Sequence, residues 1–87
     1  MRIWFKTWEN NHMLQDFVAE DDSDDTRTHK VFNALDQACQ VFDLSKPIWL
    51  DTTIRDFKRQ GKARFTRDAF VEEVPFDYLE IHVIEED

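Results

Sequence analysis

The strongest restriction on the fold is that only one segment has a long helical pattern, whereas β-type sequence stands on both sides of it. The spacing predicts a helix over about 27–43, capped by Asp25 or Thr26, that buries one side against a sheet. Its apolar stripe consists of Val31, Leu35, Ala38 and Phe42, widened by Phe32 and Cys39.

A β-hairpin is predicted ahead of this helix. Residues 2–8 and 12–19 are rich in aromatic and β-favouring side chains, and Asn10-Asn11 between them tolerates the positive φ angles of a tight turn. Both sides of the ribbon carry apolar groups. Either both sides pack against the rest of the domain, or the side of Trp4 and Trp8 is left exposed to bind a partner. A two-residue loop pairs Trp8 with Met13, Trp4 with Phe17, Ile3 with Val18 and Thr7 with Leu14. One side then carries Trp4, Trp8, Met13 and Phe17, and the other carries Ile3, Phe5, Leu14 and Val18.

The segment after the long helix predicts a strand and a second helix. Residues 48–50 lie between a proline and an aspartate and are typical of a short buried strand. A short helix over about 54–60 follows, with a capping box formed by Thr53 and Asp56. Gly61, the only glycine in the chain, stands where a helix end favours a left-handed residue.

Residues 78–84 alternate between apolar and polar side chains and predict a closing strand. Residues 63–66 are compatible with a brief extended piece, and 68–74 fit either a helical turn or a bulged strand. These elements predict an α+β fold with two layers, in which the long helix packs across a mainly antiparallel sheet of about four strands. A chain of 87 residues that is 41% hydrophobic supports one core, so 1–87 is predicted to form a single domain.

Charge is distributed unevenly along the chain. The 19 acidic and 11 basic residues give a formal net charge of −8. Residues 9–25 and 68–87 contain acids but no Lys or Arg, whereas 55–67 contains six cations and a single acid. These cations are Arg55, Lys58, Arg59, Lys62, Arg64 and Arg67.

The basic segment has two interpretations. With Phe57 and Phe65 among its cations, it could contact phosphates and stack on bases. Alternatively, the aromatic residues anchor it in the core and the surplus acids of the same chain neutralise its cations. The net negative field repels a polyanion beyond the screening length of about 8–10 Å, so the sequence does not favour a nucleic-acid partner.

The negative charge favours the reverse relation, in which acidic stretches face a basic surface on another protein. An extreme form is an inhibitor that mimics nucleic acid, which needs a row of closely spaced carboxylates. An acidic exterior can also serve solubility alone. The candidate row consists of Glu72, Glu73, Asp77, Glu80, Glu85, Glu86 and Asp87.

Neither a cofactor nor a metal is predicted. A phosphate-binding loop needs several glycines, and the acidic run 21–25 lacks the ligand spacing of a calcium loop. His29 and Cys39 are separated by about 15 Å along the predicted helix, too far to share a zinc ion.

The best catalytic constellation is Tyr78, Glu80 and His82 on one side of the closing strand, where alternate residues are about 6–7 Å apart. The alternative is an exposed polar strand face. No nucleophile or oxyanion-binding motif accompanies these residues, so no enzymatic activity is predicted.

A cytoplasmic location is expected, without membrane contact. The longest apolar runs are far shorter than the roughly 20 residues of a membrane span. Residues 1–6 do not have the pattern of an export signal, and the unpaired Cys39 fits a reducing compartment.

Three stretches, 22–32, 42–51 and 76–81, resemble a family of short, acidic, uncharacterised bacterial proteins. They read DSDDTRTHKVF, FDLSKPIWLD and FDYLEI. The resemblance implies a small stand-alone bacterial protein and carries no activity, cofactor or site.

The sequence therefore predicts a small acidic, non-enzymatic protein-interaction or regulatory module that acts on a protein partner or on a second copy of itself. The alternatives are a nucleic-acid-mimicking inhibitor of a DNA- or RNA-binding protein, and a nucleic-acid binder that uses 55–67. The interaction candidates are Trp4, Trp8, Arg55, Lys58, Arg59, Lys62, Arg64, Arg67, Glu80 and His82.

Overall fold

The computed structural model describes residues 1–87 and contains one four-stranded antiparallel sheet in the order β2-β1-β4-β3. Two helices pack on one side of this sheet, which confirms the α+β fold with two layers. The elements are β1 (Arg2–Glu9), β2 (His12–Glu20), α1 (Arg27–Phe42), α2 (Asp51–Gln60), β3 (Lys62–Thr66), a 3-10 helix (Arg67–Ala69) and β4 (Tyr78–Glu85).

The hairpin β1–β2 forms as predicted, but the register of its two strands differs from the prediction. Asn10 and Asn11 both have positive φ, 50° and 63°, and Trp8 pairs with Met13. Beyond this pair the register shifts by one residue, because a bulge leaves Leu14 without a partner. The backbone N–H of Gln15 donates to Thr7 Oγ1 (3.1 Å) beside this bulge.

Because of the bulge, Phe17 and Val18 of β2 lie on the opposite sides of the sheet from those predicted. Trp4 pairs with Val18 and Phe5 pairs with Phe17, so the expected pairing of Trp4 with Phe17 is wrong. Directly opposed residues project to the same side of an antiparallel pair, and Phe17 therefore joins the core side. The predicted pairs of Ile3 with Val18 and of Thr7 with Leu14 are displaced in the same way, to Ala19 and Gln15.

Helix α1 begins and ends close to the predicted residues. The side chain of Thr26 caps its first turn by accepting from the His29 N–H (3.2 Å). Asp43, in the left-handed region at φ 56°, ends it. Leu35 and Cys39 are buried as expected, but Phe32 is 47% exposed, so it does not widen the buried stripe.

The segment before α2 differs from the prediction. Residues 48–50 form no strand, since the Ile48 N–H makes a single backbone bond, to the Ala69 carbonyl (2.7 Å). Trp49 instead packs its ring against Phe57 and Phe65, with ring centroids 5.5 and 4.7 Å away.

Helix α2 begins at Asp51, earlier than the expected start near residue 54. The predicted capping box is wrong, because Thr53 is buried and its hydroxyl donates to the Arg64 carbonyl (3.2 Å). The helix ends at Gly61 as predicted, with φ 67°.

The fourth strand of the sheet is β3, at the residues where the sequence allows only a brief extended piece. Residues 68–74 form no bulged strand. The 3-10 helix contributes Ala69, and the loop after it contributes Phe70, Val74 and Phe76, to a core of 19 buried residues. No helix of the chain has the length and apolar character that crossing a membrane requires.

Candidate interaction surface

The side of the sheet opposite the helices is uncovered, and we call it the open face. Alternation along the strands places one side chain from each strand in each of three successive cross-strand rows. From β2 to β3, these rows are Val18-Trp4-His82-Lys62, Asp16-Lys6-Glu80-Arg64 and Met13-Trp8-Tyr78-Thr66.

The centre of the open face is an ion pair that water hardly reaches. Lys6 Nζ lies 3.3 Å from Glu80 Oε2, and the two residues are only 8% and 5% exposed. Lys62 Nζ approaches the same oxygen at 3.5 Å, and Trp8 Nε1 donates to Glu80 Oε1 (2.9 Å). Burial alone would raise the pKa of Glu80, but Lys6, Lys62 and Trp8 outweigh it and hold that pKa below its ordinary value. Glu80 is therefore a structural carboxylate without a proton to donate at neutral pH.

His82 lies between Trp4 and Lys62 in the neighbouring row. Burial lowers the pKa of His82, and the charges of Lys6 and Lys62 lower it further. Its Nδ1 atom is buried without a hydrogen-bond partner. The imidazole is therefore neutral at pH 7.

Tyr78, the third residue of the catalytic constellation considered from the sequence, is engaged in contacts within the chain. The Tyr78 ring lies beside the Trp8 ring at a centroid distance of 6.4 Å, and the Arg64 guanidinium lies 4.4 Å from the Tyr78 centroid. Glu80 is buried in an ion pair, so the alternative prediction of an exposed polar strand face is wrong.

The two tryptophans lie on the open face together, as predicted, and both are held by polar contacts. Trp4 Nε1 donates to Asp16 Oδ2 (3.0 Å), and Lys6 Nζ lies 3.8 Å from the centre of the Trp4 ring. Lys6 was not a candidate at the sequence level. The signal that marks it is a lysine at an alternate position between two tryptophans of one strand.

The six cations of 55–67 do not form one patch. Arg55, Lys58 and Arg59 lie on α2, Lys62 and Arg64 lie on the open face, and Arg67 lies in the 3-10 helix. Internal neutralisation applies to part of this set. Arg59 pairs with Asp56 (3.8 Å), Lys62 with Glu80 (3.5 Å) and Arg67 with Asp77 (3.3 Å), whereas Arg55, Lys58 and Arg64 form no ion pair.

The candidate row of carboxylates is largely occupied by internal cations. Glu80 is buried, and four further members are paired within the chain. The pairs are Asp77 with Arg67 (3.3 Å), Glu85 with Arg2 (3.7 Å), Glu86 with Arg27 (3.0 Å) and Asp87 with Lys30 (2.5 Å).

A groove between the two helices was not found from the sequence. It has a volume of about 260 Å³. The available signal was Phe32, which stands at the margin of the α1 stripe and does not enter the core. The groove is lined by Arg27, Thr28, Val31, Phe32, Trp49, Ile54, Phe57 and Lys58.

The remaining reactive groups are isolated. Cys39 is buried, which raises the pKa of its thiol to about 11. No three His, Cys, Asp or Glu side chains come together as a metal site would require.

Comparisons with protein-family models, curated proteins and solved structures gave no significant match. The resemblance to short acidic bacterial proteins stays a prediction.

Proposed function

We propose that this chain is a small non-enzymatic interaction module that acts as a dimer, in which two copies join through their open faces. The observation that carries the proposal is the order of charges across the sheet. Exposed Asp16 lies on β2 at one edge and exposed Arg64 lies on β3 at the other, with Lys6 and Glu80 between them and the aromatic side chains in the two neighbouring rows.

This arrangement is complementary to itself. A two-fold axis that runs along the strands, above the gap between β1 and β4, places β2 of one copy over β3 of the second. Such an axis keeps each cross-strand row opposite its own counterpart. Asp16 then faces Arg64 of the second copy, and the same contact occurs twice, as it must in a two-fold interface.

The aromatic residues meet in the same register. Trp8 faces Tyr78 of the second copy, and Trp4 faces its His82. Tryptophan, tyrosine and arginine are the residue types that contribute most to protein interfaces. Their anchoring within each copy, through Asp16 and Glu80, lowers the side-chain entropy lost on association.

The area supports a weak, concentration-dependent dimer. Four strands about 4.8 Å apart and three rows of alternate residues give a face on the order of 20 Å by 20 Å. This is at the lower end of specific protein interfaces, where affinities depend on a few contacts rather than on area.

The alternatives have less support. A catalytic role for Tyr78, Glu80 and His82 would require groups free to exchange protons, and Glu80 is held as a carboxylate. A nucleic-acid mimic would require a row of free carboxylates, and most of that row is paired with internal cations.

Charge reversal tests the dimer at about 0.15 M ionic strength, by sedimentation equilibrium over a range of concentrations. Asp16→Arg and Arg64→Asp each place like charges in both contacts, so each variant alone should associate at least about tenfold more weakly than the natural chain. An equimolar mixture should form a mixed dimer, because opposite charges then meet in both contacts.

Arg55→Asp is the matched control, since it makes the same charge change on α2, away from the open face. Its dimer should match that of the natural chain. A natural chain that remains monomeric at high concentration would overturn the proposal. The same conclusion would follow if the mixture failed to associate while both variants kept their melting temperatures.

A further inference from the structure

The groove between α1 and α2 lies in the helical layer, on the opposite side of the molecule from the open face. Its wall contains Val31 and Phe57, which are buried, and Phe32, which is 47% exposed. Trp49 connects these walls, with its ring centroid 6.3 Å from that of Phe32 and 5.5 Å from that of Phe57. The groove is therefore a preformed apolar depression with a large aromatic side chain left in solvent at its rim.

The rim carries cations on a molecule whose net charge is −8, although one of them, Arg27, is paired with Glu86 (3.0 Å). The guanidinium of Arg27 lies 5.4 Å from the centre of the Phe57 ring. Lys58 lines the groove without an ion-pair partner, and Arg55, on the same helix, also has none. These two cations remain unpaired although the chain has 19 acids.

From this combination we propose that the groove docks an acidic amphipathic helix of a partner protein. The inference goes beyond the dimer and uses a different surface, so both contacts can be made at once. Apolar side chains spaced by four residues would enter the groove, and flanking carboxylates would meet Lys58 and Arg55.

The size of the groove favours a helix over a small molecule. A volume of about 260 Å³ lies below the range of about 300–1,000 Å³ that is usual for small-molecule pockets. It is sufficient for a few apolar side chains from one face of a helix, whose remainder stays on the surface.

Charge and ring geometry favour a protein over a nucleic acid. Phe57 is buried and the Trp49 ring packs against both Phe57 and Phe65, which leaves Phe32 as the exposed aromatic ring of the groove, whereas single-stranded nucleic acid stacks its bases on several rings in succession. The net charge of −8 disfavours a long polyanion, whereas a short acidic helix can be attracted locally within the screening length of about 8–10 Å.

Fluorescence anisotropy with defined probes tests the inference on the full chain. The probe is a labelled helical peptide of about 15 residues, with leucines four residues apart on one face and flanking glutamates. Its matched control replaces the glutamates by lysines. The acidic peptide should bind and the basic one should bind at least about tenfold more weakly.

Substitutions in the chain locate the site. Lys58→Glu and Phe32→Ala change exposed side chains, and each should weaken binding of the acidic peptide by about tenfold. Lys46→Glu is the control for charge, because Lys46 is exposed and pairs with Asp36 outside the groove. Amide chemical-shift changes on peptide addition should be confined to 27–32 and 49–58.

Three results would overturn the inference. The first is equal binding of the acidic and basic peptides, and the second is chemical-shift changes centred on Trp4 and Trp8. The third is that an oligothymidylate of about 20 nucleotides binds in a manner that depends on Lys58, whereas the peptide does not bind. The last result would assign the groove to single-stranded nucleic acid. Sedimentation of Lys58→Glu keeps the two proposals separate, because this variant should dimerise like the natural chain.

Discussion

Glu80 and Lys6 form an ion pair on the open face, and both side chains are nearly buried. Water therefore cannot fully solvate either charge when its partner is removed. Replacing Glu80 by Gln keeps the shape of the side chain but leaves Lys6 charged in a site with little solvent. Removal of one partner from such a pair costs about 3 kcal/mol. We expect Glu80→Gln to lower the free energy of unfolding in urea by this amount.

Asp16→Asn is the control for this prediction. It removes an exposed carboxylate from the same face, and we expect a change below about 1 kcal/mol. The double variant Lys6→Met/Glu80→Leu should regain most of the lost stability, because no uncompensated charge remains buried. If Glu80→Gln had the same urea midpoint of unfolding as the natural chain, the prediction would be wrong, and solvent would be shown to stabilise the charge of Lys6 without Glu80.

At the scale of elements, one residue joins α2 to the sheet. Gly61 ends α2 with φ 67°, and its carbonyl accepts from the Val83 N–H of β4 (2.8 Å). A Cβ atom added at Gly61 would lie 3.8 Å from Val83 Cβ, which is ordinary contact, so a substitution meets backbone strain and no clash. We expect Gly61→Ala to cost about 1–2 kcal/mol, measured by thermal unfolding.

Gln60→Ala is the neighbouring control, since Gln60 is exposed at the last residue of the same helix and alanine is a good helix former. Its melting temperature should be nearly unchanged. Gly61→Asn should lie between the two, because asparagine tolerates the left-handed region better than alanine. Equal melting temperatures for Gly61→Ala and Gln60→Ala would refute the role of the positive φ.

For the whole molecule, stability should fall in two stages on acidification. The pKa of His82 is lower in the folded chain, so the unfolded chain takes up this proton first, and stability decreases as pH falls below about 6.5. The pKa values of Glu80 and Asp87 are also lowered by folding. Their contribution is complete above about pH 4.5 and is lost as pH falls through the folded pKa values.

The melting temperature between about pH 7 and pH 3 measures both stages. His82→Gln should flatten the profile between about pH 7 and pH 5 and leave the steeper fall below it. An unchanged slope in the upper range would mean that His82 does not titrate differently in the folded and unfolded chains.

The sequence by itself determined the elements that depend on local chemistry. The spacing of apolar residues predicted α1, the asparagine pair predicted the hairpin turn, Gly61 predicted the end of α2, and alternation predicted β4. Each of these signals acts within a few residues, through backbone conformation or the burial of one side of an element.

Tertiary structure decided which residues meet. The bulge at Leu14 sets which side Phe17 and Val18 occupy, and hydrophobicity alone fits either register. Residues 48–50 have the composition of a strand, yet in the folded chain Trp49 packs its ring on Phe57 and Phe65, and β3 forms the edge strand beside β4. The ion pair of Lys6 with Glu80 joins residues far apart in the chain, and such a contact exists only once β1 and β4 are neighbours.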